Sequence, residues 1–274
     1  MDSVFELRQA KISKRIAAFV MDMIMFFIIF AGALFAFENF SVDYNENRIV
    51  YEEKCLEHNL SFETINENGE KYVKTWTIQD YLESSYASSS CKVSNSSNLT
   101  SVSSECQEEF NKFFLKNNEN FSKDEVALKA FNNVLNYRIS FYAISTLVGL
   151  IIVNLVFPLI FKNGQTLGKK IMHLGLVSKK GIKVSKLNVI GRFLLGIFAV
   201  EVMPLMMYFA ASNVFGMTAI IGVLVAVVNF CLIVFTKNHT MIHDYIGGTI
   251  VIDLDTTVIF NTLEEMNLRK ENAK

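Results

Sequence analysis

The sequence predicts an all-α membrane protein with four transmembrane helices, a large extracytoplasmic insertion between the first and second, and a small cytoplasmic β-rich element. Three observations carry this reading. Just over half of the 274 residues are apolar, 24 of them Phe, and only two Pro interrupt the chain. Four apolar runs, residues 16–37, 139–161, 187–211 and 214–235, are each long enough to cross roughly 30 Å of hydrocarbon as a helix of about 20 residues. The charges are unevenly spread, with seven Lys and no acid in residues 162–186, against 17 acids and 10 bases in residues 38–138.

Short cytoplasmic loops carry the Lys/Arg excess, whereas a loop of about 100 residues can translocate regardless of its charge. Residues 162–186 are therefore expected inside and residues 38–138 outside. The N-terminus (1–15) and C-terminus (236–274) then both lie in the cytoplasm of a multi-pass cell-membrane protein. The first run has some signal-peptide character, since Lys11, Lys14 and Arg15 precede it and Ala31-Gly32-Ala33 resembles a cleavage site. Its length and the internal Asp22 favour a retained span. The formal net charge of −1 hides this asymmetry and gives no reason to expect a nucleic-acid partner.

The outer segment is Ser/Asn-rich, most clearly in "SSYASSSCKVSNSSNLTSVSSEC", which has too little apolar surface to fold alone. A flexible middle is expected, such that deleting residues 88–104 leaves membrane insertion and expression intact. Toward its end, Ser122 and Glu125 have capping-box spacing, and Leu128, Phe131 and Leu135 recur at helical spacing. That helix should run straight into the second span. Cys55, Cys91 and Cys106 permit at most one disulfide among themselves; Cys91 with Cys106 is preferred, and unpaired thiols are the alternative. Asn39, Asn59, Asn95, Asn98 and Asn120 match the glycosylation acceptor pattern, in a segment so rich in Asn that chance accounts for most matches.

The inner loop reads as a Gly/Thr turn, a short amphipathic piece, and two apolar runs around Lys179-Lys180-Gly181 that suggest a β-hairpin. A third β-rich run, residues 249–252, follows the last span on the same side, so a small cytoplasmic sheet is expected.

At this point the chain resembles a known family. Arg15, Asp22, "TLGKKIMHLGLVSKKG", Arg192 and "HTMIHDYIGGTIVI" occur in an order similar to that of the RDD family of integral membrane proteins. The name refers to one arginine and two aspartates, by position Arg15, Asp22 and Asp244. The resemblance covers the spans and inner loops but not the outer segment, and it implies a multi-pass protein suspected of transport. Fold-level likeness leaves substrate and mechanism open.

The ionisable residues inside the spans are the strongest functional signal. Counting about 1.5 Å per residue from the cytoplasmic end of each predicted span places Asp22, Asn154, Arg192 and Asn229 at nearly one depth, about 9 Å. Such a polar layer serves either as interhelical glue, with Asp22 facing Arg192, or as a functional site. Glu201, about 21 Å deep by the same count, stands apart in the outer half beside Pro204. There it would form either a cation-binding notch or a side chain reaching toward the outer surface. Arg15 and Asp244 both fall at the inner interface and would clamp the sheet to the bundle. His239 and His243 have metal-ligand spacing, but Thr240 stands where a zinc protease needs Glu, so no metal is assigned. No nucleophile–base pair, phosphate loop or dinucleotide fingerprint points to an enzyme, and no catalytic residue or cofactor is expected.

Two functions survive. The first is transport of a small ion or solute through the polar layer, which with only four helices would call for a homo-oligomer. The second is a membrane anchor or assembly factor whose outer segment binds a protein partner. Both place the chain in a lipid bilayer.

Overall fold

The computed structural model describes residues 10–91, 102–203, 224–225, 227–229, 231–232, 234–236 and 240–272. Asn95, Asn98, Pro204, His239 and most of the outer halves of the predicted third and fourth spans lie outside the described residues. The chain is mostly helical and divides into two compact units: a split unit, Met1–Ala36 with Phe141–Lys274, and an inserted unit, Phe37–Ser140.

Two helices among the described residues are long and apolar enough to cross a membrane. The first, α1 (Ile12–Phe40), has 29 residues and is therefore about 43 Å long. It buries only Ala18, while Ile16, Phe19, Ile24, Phe27, Ile28 and Phe35 stay exposed. A helix that presents so many large apolar side chains outward fits hydrocarbon surroundings and would be an aggregation surface in water.

The second begins as α5 (Glu125–Ile151), passes through a π-helical turn (Ile152–Val156) and ends as α6 (Phe157–Ile160), 36 residues in all. The sequence explains the π turn. Pro158 has no N–H, and its ring would clash with the carbonyl of Asn154 four residues earlier; widening the preceding turn relieves that clash. Of the third predicted span, α8 (Lys186–Gly191) leads into a π-helical stretch, Arg192–Val202.

In the split unit the inner loop forms α7 (Leu167–Ile171) and β3 (Leu174–Ser178). After the fourth predicted span come α9 (Ile242–Ile246), β4 (Thr249–Asp253) and α10 (Leu263–Asn272). Strands β3 and β4 pair antiparallel, with Leu174 opposite Asp253 and Ser178 opposite Thr249. The hairpin read from Lys179-Lys180-Gly181 is thereby corrected. The turn is present, with Gly181 at φ +80°, but the run after it contributes only single bridges, Lys183 to Val177 and Ile182 to Phe260. All five residues of β4 are buried, and "TIVID" supplies more apolar surface than "IKV", so β4 takes the long edge of β3. Leu174, Leu176 and Val251 then pack with Ala10 and Ala18.

The inserted unit has a core of its own, which composition did not suggest. It contains α2 (Val42–Glu57), the hairpin β1 (Ser61–Ile65) and β2 (Lys71–Thr75), α3 (Ile78–Glu83) and α4 (Ser104–Lys123). Thr77 and Asp80 form a capping box at α3. Cys91 and Cys106 are joined by a disulfide, while Cys55 is free and buried. Tyr81, Leu82, Ala87 and the bridged cysteines are buried together, flanked by Trp76, Phe110 and Phe113. Of residues 88–91 only Cys91 is buried in this cluster, so a deletion over 88–104 would remove the bridge as well as the Ser-rich run. The aromatic residues flanking the Ser-rich run provide the apolar surface that the run lacks.

The capping box read at Ser122 and Glu125 is also corrected. The Ser122 hydroxyl donates to the Glu119 carbonyl at 2.8 Å inside α4, and Asp124 caps α5, accepting from Val126 N (2.9 Å) and Ala127 N (3.1 Å). Asp124 also meets His58 at 3.1 Å and Lys54 at 3.2 Å. The His58 bond, the backbone N–H bonds and Lys54 hold its carboxyl well below the usual carboxylate range, with burial opposing them.

The disulfide spans 15 residues, a closure that stabilises by about 3 kcal/mol in the chain-entropy picture. Cys91→Ser or Cys106→Ser is accordingly expected to destabilise the inserted unit by about that amount. Protease cleavage within residues 78–113 of purified protein, followed by mass spectrometry, should appear at lower denaturant in either variant.

Candidate functional site: a charged cavity between α1, the inner loop and α9

Asp22 is held by the inner loop. Its Oδ2 accepts from Thr166 Oγ1 at 2.5 Å and its Oδ1 from the Gly168 backbone N–H at 2.8 Å. Thr166 is also the N-cap of α7, accepting from Lys169 N at 3.3 Å. Only glycine fits at 168: a Cβ there would lie 2.1 Å from the Ala18 carbonyl oxygen and 2.9 Å from Asp22 Oδ1. The "TLG" of the inner loop therefore lets the backbone lie against α1. Nearby, Arg15 donates to the carbonyls of Val251 (2.7 Å) and Ala10 (3.1 Å), tying α1 to β4.

A second group centres on α9, which packs on the π-helical stretch. The close approach again needs glycine, since a Cβ at Gly196 would sit 2.6 Å from the Cα of His243. Across this contact Arg192 pairs with Asp244 at 2.8 Å, with side chains only 6% and 3% exposed. Thr249 Oγ1 donates to Asp244 at 3.3 Å. Glu201 Oε1 lies 2.8 Å from His243 Nδ1 and accepts from Asn229 Nδ2 at 3.1 Å, while Asn229 Oδ1 accepts from Ile242 N at 2.9 Å.

Both groups line one cavity of about 580 Å³. Arg15, Asp22, Asn154, Arg192, Glu201, Asn229 and Asp244, all singled out from the sequence, lie on its wall, together with Thr166, Lys169 and His243. Two expected relations change. The ion-pair partner of Arg192 is Asp244, not Asp22, whose two oxygens face the inner loop. Glu201 does not stand apart in an outer notch, because α9 packs on the π-helical stretch Arg192–Val202 and brings His243 to it. Depth counting gives no position to residues after the last predicted span and so misses a helix that packs against Arg192–Val202. Of the residues overlooked, His243 had been weighed only as a metal ligand with His239, and Lys169 was hidden in a lysine-rich loop. Its place three residues after the capping Thr166 was the available signal.

The wall carries Arg15, Lys169 and Arg192 against Asp22, Glu201 and Asp244. Burial alone pushes the Asp244 carboxyl up, but Arg192, His243 and Lys169 together hold it below the usual carboxylate range. Burial pulls the Lys169 ammonium down to about 8, with the Arg192 charge adding to the effect and Asp244 and Asp22 opposing it. Among the described residues Lys169 forms no ion pair within 4 Å.

The model of the RDD family matches residues 110–248. The chain belongs to the RDD family. RDD proteins are membrane proteins, in agreement with the exposed apolar surface of α1. The match starts inside α4, so it includes part of the segment that the resemblance had left uncovered. Arg192 and Asp244 lie within it, and Arg15 and Asp22 lie before it. No curated protein and no solved structure matches the chain.

Two outcomes are expected of this RDD cavity. Arg192→Ala should cost about 3 to 5 kcal/mol by stranding Asp244, and Arg192→Ala with Asp244→Ala should show coupling of about 0.5 to 3 kcal/mol in a double-mutant cycle read by melting in detergent. Lys169 binds its proton more weakly folded, at about 8, than its ordinary 10.5. The unfolded chain therefore holds more protons between those values, and stability should rise as pH increases through that window. A melting series over pH should show the rise in the native protein and a flat response in Lys169→Met.

Proposed function

We propose that this RDD protein is a multi-pass cell-membrane protein that binds a small ion or solute in the charged cavity and passes it across the bilayer. One observation carries the reading: a single cavity beside a membrane-spanning helix collects the ionisable residues of the predicted spans and their flanks. Charges in or next to a bilayer are costly, and ones grouped around open space mark a solute path more naturally than a packed joint. The cavity lies within one chain, and a homo-oligomer would set several such cavities side by side. Both termini cytoplasmic and residues 38–138 outside is the orientation that the lysine asymmetry supports, and the Cys91–Cys106 bridge suits an oxidising outer compartment.

The second reading is an anchor or assembly factor. Its support is the inserted unit, whose packed core and disulfide would give an extracytoplasmic protein partner an ordered surface.

Flux into proteoliposomes of purified protein, with and without an imposed ion gradient, separates the two. Transport predicts protein-dependent flux that falls at least about tenfold, the equivalent of 1.4 kcal/mol, in Asp22→Asn or Glu201→Gln. Absence of flux for any monovalent ion or small organic solute favours the anchor.

A further inference from the structure

The three carboxylates on the cavity wall are all occupied. Asp22 faces Thr166 and Gly168, Glu201 faces Asn229 and His243, and Asp244 faces Arg192 and Thr249. Lys169 lies on the same wall, half-buried, with no carboxylate within 4 Å among the described residues. An enclosed ammonium without a counter-ion is a costly feature that a bound anion would relieve.

Much of the remaining wall, beside Arg15, Arg192, His243 and the polar Asn154, Thr166 and Asn229, is apolar: Phe19, Met23, Phe26, Leu150, Val153 and Ile197. Phe19 lines the cavity yet is 55% exposed, and it lies on α1 among Ile16, Val20 and Met23, which are also exposed. The apolar wall is thus continuous with the surface that α1 turns toward hydrocarbon.

Building on the reading of the cavity as a solute site, we propose that its ligand is an amphipathic monoanion, with its carboxylate or phosphate on the Lys169 ammonium and its apolar tail along Phe19, Met23, Phe26 and Leu150. A bilayer acyl lipid and a soluble organic acid share that head chemistry, and the length of the tail distinguishes them. Charges of both signs surround Lys169, namely Arg192, Asp244, Asp22 and Arg15. An incoming anion adds attraction, and so strengthens the hold of Lys169 on its proton.

The test is equilibrium binding to the full chain in nanodiscs of zwitterionic lipid, using radiolabelled laurate with dodecyl phosphate, butyrate and dodecanol as competitors. Laurate should bind, dodecyl phosphate should displace it, and butyrate and dodecanol should each compete at least about tenfold more weakly. Lys169→Gln should lose laurate binding by about tenfold or more, while Lys169→Arg keeps it, which separates loss of charge from loss of fold. Binding to the native protein should weaken as pH rises above about 8, and in Lys169→Arg it should hold to higher pH. Dodecanol competing as well as laurate, or Lys169→Gln binding laurate unchanged, would overturn the proposal. Butyrate matching laurate would overturn its amphipathic part in favour of a soluble anion. Laurate binding without flux would leave this inference standing and count against transport, whereas ion flux without laurate binding would do the reverse.

Discussion

The Arg192–Asp244 ion pair is the interaction on which the cavity depends. Asp244 is on a five-residue helix, too short to be stable alone. What holds α9 against the π-helical stretch Arg192–Val202 is this nearly dry pair together with the close backbone approach at Gly196. Once α9 is docked, His243 falls beside Glu201, the Ile242 N–H meets Asn229, and the chain leaves α9 directed into β4. β4 in turn supplies the carbonyl that Arg15 grips and the partner strand for β3. Loss of the pair would therefore loosen the sheet as well as the cavity.

Lys169 is a different kind of feature, because it costs stability where it stands. Its neighbours include charges of both signs, and enclosure weakens its proton affinity without a dedicated partner to offset the loss. Asp22 differs, because two donors, Thr166 Oγ1 and the Gly168 N–H, satisfy its carboxylate.

Much of this was legible in the sequence, and the misses share a cause. Long helices follow from apolar runs, and the residues worth watching were those whose charge disagreed with their surroundings; hence Asp22, Arg192 and Glu201 could be named without coordinates. What the sequence could not supply was pairing. One-dimensional depth made Asp22 and Arg192 neighbours, whereas the fold gives each a partner from an inner loop or from α9. The β3 strand likewise took a distant partner over the adjacent one, because burial rather than proximity decides between competing edges. The core of the inserted unit was obscured by a Ser-rich run whose flanking Trp76, Tyr81 and Phe113 do the packing.

The bonds that hold α1 also set a timetable for biosynthesis. Asp22 waits for Thr166 and Gly168, 144 and 146 residues later in the chain, and Arg15 waits for Val251, 236 residues later. At about 5 to 20 residues per second, Asp22 spends roughly 7 to 30 seconds in the first helix before its donors have been made. Arg15 waits longer still. During that interval α1 lacks the donors that satisfy its carboxylate, so a helix made early is completed late.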